Sequence, residues 1–150
     1  MSISDQIVIM KDGFLQQVAS PREMYDNPIN QFVAKFLGNP PINLVTSKVS
    51  GSKININGLE FDAKGLEDMD VIIGIRPEAF KLDVKSPVQV EVQTFEYFGR
   101  ETLLFVYLDN VMCRVLIESD FPVEKGDIVG LTLRNNDMLL FDSEGKRIDV

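Results

Sequence analysis

The sequence has no histidine and no tryptophan, one cysteine (Cys113), and 15 Lys and Arg against 23 Asp and Glu. Without an imidazole there is no Ser-His-Asp or Cys-His catalysis, and the commonest zinc ligand is missing. One cysteine cannot close an intrachain disulfide, which fits a reducing cytoplasm. Cys113 sits in the apolar run Val111-Met112-Cys113-Arg114-Val115-Leu116-Ile117 and reads as a small buried hydrophobe. The formal net charge of −8 opposes nucleic-acid binding, which needs cations to replace phosphate counterions. It equally opposes docking on an anionic membrane. No apolar run approaches the roughly 20 residues of a bilayer span. Met1-Ser2-Ile3-Ser4-Asp5 has neither the basic start nor the apolar stretch of a signal peptide. The expectation is a cytoplasmic protein without membrane insertion. No Gly-x-x-x-x-Gly-Lys-Ser/Thr run is present, so no phosphate cradle for ATP is encoded. No two carboxylates stand in a diagnostic acid–base motif.

What is present is 45% apolar residues over 150 positions, ample for a core. Residues 1–40 and 41–150 read differently. Ile7-Val8-Ile9-Met10 and Phe14-Leu15-Gln16-Gln17-Val18 predict a hairpin across Lys11-Asp12-Gly13. Ser20-Pro21-Arg22-Glu23 predicts a capped helix start, with Met24 and Tyr25 facing inward. A second short helix is expected over 29–37, with Phe32, Val33, Phe36 and Leu37 on one face. Gly38 suits the position after a helix end, and Asn39-Pro40-Pro41 marks a boundary.

From Leu44 on, strand follows strand. Lys53–Ile56 alternates, Asn57-Gly58 is a hairpin turn, and Val71–Ile75 reads as a central strand. Pro77 to Phe80 is expected as one helical turn. Val88–Val92, Thr102–Leu108, Val111–Ile117, Ile128–Leu133 and Met138–Phe141 complete the series. Short strands with Gly, Asn and Asp at the joints predict a small barrel of the OB type. The predicted fold is thus mainly β, an OB-like barrel preceded by a β-hairpin and two short helices. Residues 1–40 are too few for a core of their own, so they are expected to pack on the barrel or on a second copy.

Five residues stand out as candidate interaction or structural markers: Arg76, Glu78, Gly99, Arg100 and Glu101. Arg76 directly follows an apolar strand. It could bind an anion or a partner carboxylate, or pair with a nearby Glu and pin the barrel end; the structural role is favoured. Gly99 permits a bulge or tight bend, which would display Arg100 and Glu101 on a loop. Phe95, Tyr97 and Phe98 could form a base-stacking platform, but the charge balance favours core or interface packing.

Ser4–Gly13, Gln16–Pro28 and Asn30–Gly38 resemble the closing hairpin and final helices of the nucleotide-binding domain of ABC importer ATPases. Ile42-Asn43 fits that family's entry into its C-terminal domain, and Gly74-Ile75-Arg76-Pro77-Glu78 and Gly99-Arg100-Glu101-Thr102-Leu103 resemble two markers of that TOBE, or OB-like, domain, of the maltose/sugar type. The resemblance implies that residues 1–40 are the end of a nucleotide-binding domain and 41–150 a regulatory domain. It implies a non-catalytic segment acting through homodimer and regulatory-protein contacts, in a subunit that docks on a membrane permease at the inner face of the membrane. The family's phosphate loop, signature motif, catalytic carboxylate and switch histidine match no residue here. No catalytic residue or cofactor is carried over; ATP and Mg would belong to the full-length parent alone. The alternative is an OB-type domain sensing an oxyanion or a sugar, hinted at by Arg76 and Arg100.

Overall fold

A computed structural model describes residues 5–134 and 137–149, with the backbone alone at Phe98. The Met1–Ser4 stretch and the Phe98 side chain therefore lie outside the described residues.

The chain opens with strands β1 (Ile7–Lys11) and β2 (Phe14–Ala19), paired antiparallel. Helix α1 (Pro21–Asp26) follows. The Ser20 side chain accepts from the Glu23 amide, and Pro21 occupies the first turn, where no N–H is needed. Helix α2 (Gln31–Phe36) starts two residues later than its periodicity suggested, because the Asn30 side chain accepts from the Val33 amide and caps it there. Its buried residues are Val33 and Ala34, while Phe36 is exposed. The inward face predicted through Phe36 is thus corrected. The buried arc runs from Val33 round to Ala34, and at 100° per residue Phe36 falls beyond its edge.

The remaining strands are β3 (Asn43–Ser50), β4 (Lys53–Ile56), β5 (Leu59–Asp62), β6 (Met69–Ile75), β7 (Phe80–Leu82), β8 (Gln89–Glu91), β9 (Thr94–Phe98), β10 (Glu101–Leu108), β11 (Val111–Glu118), β12 (Ile128–Leu133), β13 (Leu139–Asp142) and β14 (Arg147–Ile148). They form a six-stranded sheet ordered β14-β13-β6-β3-β4-β5 and two three-stranded sheets, β11-β10-β9 and β7-β12-β8. All three sheets feed one core: Val45, Ile54 and Ile73 from the first, Leu104, Val106 and Val115 from the second, Val90 and Leu131 from the third. This mainly β architecture is the OB-like barrel with its preceding hairpin and helix pair. Pro77–Ala79 forms a single 3-10 turn, and Phe80 begins a strand rather than ending a helix.

The tight turns follow their residue types. Asn57 (φ 55) and Gly58 (φ 100) both take positive φ, as a type I′ hairpin demands. Asp109 (φ 47) and Asn110 (φ 65) do the same between β10 and β11. Gly130 answers to a different constraint. A Cβ there would clash with the Asp83 carbonyl oxygen, because the two backbones are held together by the Asp83 amide donating to the Gly130 carbonyl at 2.9 Å.

The N-terminal elements keep a small cluster of their own, Ile9, Ala19, Met24 and Val33. A third cluster, Ala34, Ile42 and Phe141, joins α2 to the barrel. Backbone bonds reinforce the seam: Gln31 N donates to Gly145 O at 2.8 Å and Arg147 N to Ile29 O at 3.0 Å.

Candidate interaction site

Strand β6 delivers Arg76 to the barrel end, where Pro77 turns the chain. The side chain is 8% exposed and spans the gap to both helices. Nη1 donates to the Ala34 carbonyl at 3.1 Å and the Leu37 carbonyl at 2.7 Å, and Nη2 to the Tyr25 carbonyl at 3.0 Å. These carbonyls belong to the last turns of α1 and α2, where acceptors lack intrahelical donors and a cation is favoured. The guanidinium also lies 3.9 Å from the centre of the Tyr25 ring, a cation–π stack. Gly38 leaves room for it: with φ +107, its Cβ would meet Nη1 at 3.1 Å. Burial pushes the Arg76 pKa down to about 10, so the group stays charged at neutral pH. The expected partner, a carboxylate on the barrel end, is replaced by backbone carbonyls. Among the described residues the ion pairs are Arg22–Asp26 and Lys53–Glu60.

Glu78 continues the latch. The Tyr25 hydroxyl donates to its carboxylate. Burial raises its pKa, and the nearby charges of Asp137 and Glu101 add to that. Glu101, 23 residues further along the chain, is thereby brought within electrostatic range of Glu78. Gly99 and Arg100 are not part of the cluster. They form the exposed two-residue turn between β9 and β10, with Gly99 at φ +65; this is the tight bend, not the bulge. Arg100 is open to solvent and lines none of the grooves described below.

The aromatic platform divides. Phe95 packs against the core while Tyr97 is 78% exposed, their rings edge-on at 5.9 Å. The adjoining groove, about 320 Å³, contains Glu124 and Asp127 and no cation, the wrong sign for a phosphate backbone. Cys113 is fully buried, its thiol pushed up to about 11 chiefly by burial. Among the described residues, no group of three His, Cys, Asp or Glu side chains could hold a metal.

Asn43 entered the sequence reasoning only through the Ile42-Asn43 resemblance, and its buried role was not foreseen. It is 4% exposed. Its amide donates to the Ile75 and Arg114 carbonyls at 3.0 and 2.8 Å and accepts from the Arg114 amide at 2.7 Å. It therefore pins β3 to β11 across two sheets, one residue position from the strand end that launches Arg76. An Asn at the head of a strand just after the Pro40-Pro41 boundary was the available signal, since an amide that becomes buried there must find partners.

Residues 73–141 match the TOBE domain family. That span starts inside β6, takes in Arg76, Glu78 and the Gly99–Glu101 turn, and ends in β13. The chain carries a TOBE domain. The curated relatives it matches include import ATP-binding proteins. The sn-glycerol-3-phosphate import ATP-binding protein UgpC of Psychromonas ingrahamii is 32% identical over 164 residues, covering 100% of this chain and 43% of that protein. The oligosaccharides import ATP-binding protein MsmX of Bacillus subtilis is 27% identical, over 96% of this chain and 44% of the relative. A putative ABC transporter ATP-binding protein, MG187 of Mycoplasma genitalium, is 30% identical over 100% of this chain and 26% of its own length. This TOBE chain thus matches part of such ATP-binding proteins and spans under half of the relatives' length. A solved structure of the molybdate-bound cytoplasmic protein ModG is similar over 65% of this chain and 94% of that one, with a TM-score of 0.49 and 11% identity. No helix among the described residues is long and apolar enough to cross a membrane.

Proposed function

We propose that this chain is a non-catalytic, contact-making segment of a sugar-type ABC importer ATPase, with the TOBE barrel as its regulatory part. The observation that carries the reading is the hairpin. Cross-strand partners Val8 and Val18, and Met10 and Leu15, pair directly, so they share a face. That face is bare: Val8, Met10, Leu15 and Val18 are all exposed, as is Phe14 at the turn. A contiguous apolar face of this kind marks a protein contact. The relatives supply the occupant, the remainder of an ATP-binding domain, and the Arg76 latch would hold the barrel to whatever that domain does. ATP and Mg then belong to the parent subunit. A homodimer, a membrane permease and a regulatory protein are the partners this reading implies, on the cytoplasmic side of the membrane.

Two measurements test it. The purified chain with MgATP should release phosphate at no more than the blank rate, and it should bind an apolar dye at the hairpin. A chimera with this chain in place of the matching segment of MsmX should hydrolyse ATP and lose the dye signal. Turnover by the chain alone, or an unchanged dye signal in an active chimera, would overturn the reading.

A further inference from the structure

In a chain with 23 acidic and 15 basic side chains, one region reverses the balance. Two grooves of about 430 and 710 Å³ adjoin along the seam between the hairpin, α2 and the β13–β14 turn. They share Gln16, Asn30 and Lys146 as a common ridge. The Asn30 side-chain amide donates to the Gln16 side-chain oxygen Oε1 at 2.8 Å, fixing that ridge. Lys11, Lys35, Lys146 and Arg147 line the pair, against Glu144 and Asp149.

None of the four cations makes an ion pair within 4.0 Å among the described residues. Lys11 lies 5.2 Å from the Phe32 ring centre. The Nε of Arg147 is buried and lacks a hydrogen-bond partner among the described residues, although buried donors are normally satisfied. Four cations against two carboxylates leave the seam net positive, and cations without ion-pair partners on both sides of it repel one another. An anion between them would relieve that repulsion and accept charge-assisted bonds. The walls are not polar throughout. Leu15, Pro28 and Ile29 line one groove, and Phe32 and Leu44 the other. Their volumes fall in the range of small-molecule sites rather than of a bare ion.

We infer that the seam of Lys11, Lys35, Lys146 and Arg147 binds a small phosphate-bearing organic anion, which clamps the hairpin and α2 to the barrel. The phosphate sits among the cations, and the organic body lies along the apolar wall. The site is separate from Arg76, whose guanidinium is spent on three carbonyls. The clamp has a direction. A ligand touching α2 and the β13–β14 turn together stabilises only the docked arrangement, by its differential affinity for that state.

Calorimetry with glucose 6-phosphate, inorganic phosphate and glucose, at matched ionic strength, tests this. Glucose 6-phosphate should bind with a dissociation constant at or below about 1 mM, more tightly than inorganic phosphate, and glucose should give no heat. The double variant K35Q/K146Q should weaken binding at least about tenfold. Both lysines are exposed, so its melting temperature should match the parent chain. Hydrogen exchange at α2 should slow when glucose 6-phosphate is added and stay unchanged in the variant. No heat up to about 10 mM, equal binding by glucose, or unweakened binding by the folded variant would overturn the inference. Its failure would leave the reading of the chain as a contact segment standing, because ATP turnover and dye binding judge that separately.

Discussion

Replacing Arg76 by alanine removes one side chain and strands three acceptors. The carbonyls of Ala34, Leu37 and Tyr25 each lose a charge-assisted donor at 2.7 to 3.1 Å. A buried acceptor left unpaired costs about 1–3 kcal/mol. The bond to Ala34 is buried, whereas those to Leu37 and Tyr25 are part-buried, so water entering the vacated space would rescue much of the latter two. The stack on Tyr25 adds about 1–2 kcal/mol of loss. Against this, the wild type bears the desolvation that draws the Arg76 pKa down to about 10, and the variant does not. The net expectation is a destabilisation of about 3 kcal/mol, or roughly 6–12 °C in melting temperature for a chain this long. R76K keeps the charge but not the planar fork or the stack, and should recover less than half of the loss. R100A, on the exposed turn, should change stability by less than about 0.5 kcal/mol. Urea unfolding gives the totals, and amide exchange gives the location. Protection should fall first in α1 and α2, while the paired β10 and β11 keep theirs. An R76A protein within about 0.5 kcal/mol of wild type, with helix protection intact, would refute the latch.

Two further outcomes follow from the titration shifts. Glu78 has its pKa raised by burial and by the charges of Asp137 and Glu101. The protonated form is therefore favoured on folding, an advantage complete below the unfolded value of 4.5 and lost as pH rises through the folded one. E78Q, which cannot ionise yet still accepts from the Tyr25 hydroxyl, should gain stability relative to wild type as pH is raised from about 4 to 7; urea midpoints that differ by the same amount at every pH would contradict this. Cys113, with its thiol near 11, should react with a thiol reagent at pH 8 at least about a hundredfold more slowly than free cysteine. Denaturation should abolish the difference, and rapid labelling of the folded chain would show the thiol to be open.

The barrel was legible because its joints have few solutions. Asn57-Gly58 and Asp109-Asn110 can hardly be anything but two-residue turns when apolar strands flank them, and both take positive φ. The strands that escaped notice are short or lack alternation at their ends. Phe80–Leu82 follows a proline that suggested a helical turn, Thr94–Phe98 was read as an aromatic platform rather than a strand, and Arg147–Ile148 is two residues long. The candidate site was legible only in part. Arg76 was conspicuous as a charge behind an apolar strand, but its partners are backbone carbonyls, which every residue carries and no sequence pattern announces. The exposure of Phe36 was hidden for a related reason. A six-residue helix touching the hairpin cluster through Val33 and the barrel through Ala34 spreads its buried arc over two neighbours, and a single-face periodicity misplaces its edge.

The two kinds of contact at the seam do different work. The apolar patch of Ala34, Ile42 and Phe141 contributes attraction without direction, since apolar burial depends on area and not on angle. Alone, it would let α2 slide or rotate over the barrel. The Arg76 fan, the bond from Gln31 N to Gly145 O, and that from Arg147 N to Ile29 O each fix an angle as well as a distance. They hold α1 and α2 from two places, the end of β6 and the β13–β14 turn. An element pinned at two separated points by directional bonds cannot rotate without breaking one of them. Motion imposed on the hairpin through its bare face would therefore pass to the barrel as a rigid-body displacement rather than being absorbed at the joint. In the proposed reading, that rigidity is what lets a domain with no chemistry of its own register the state of one that has it.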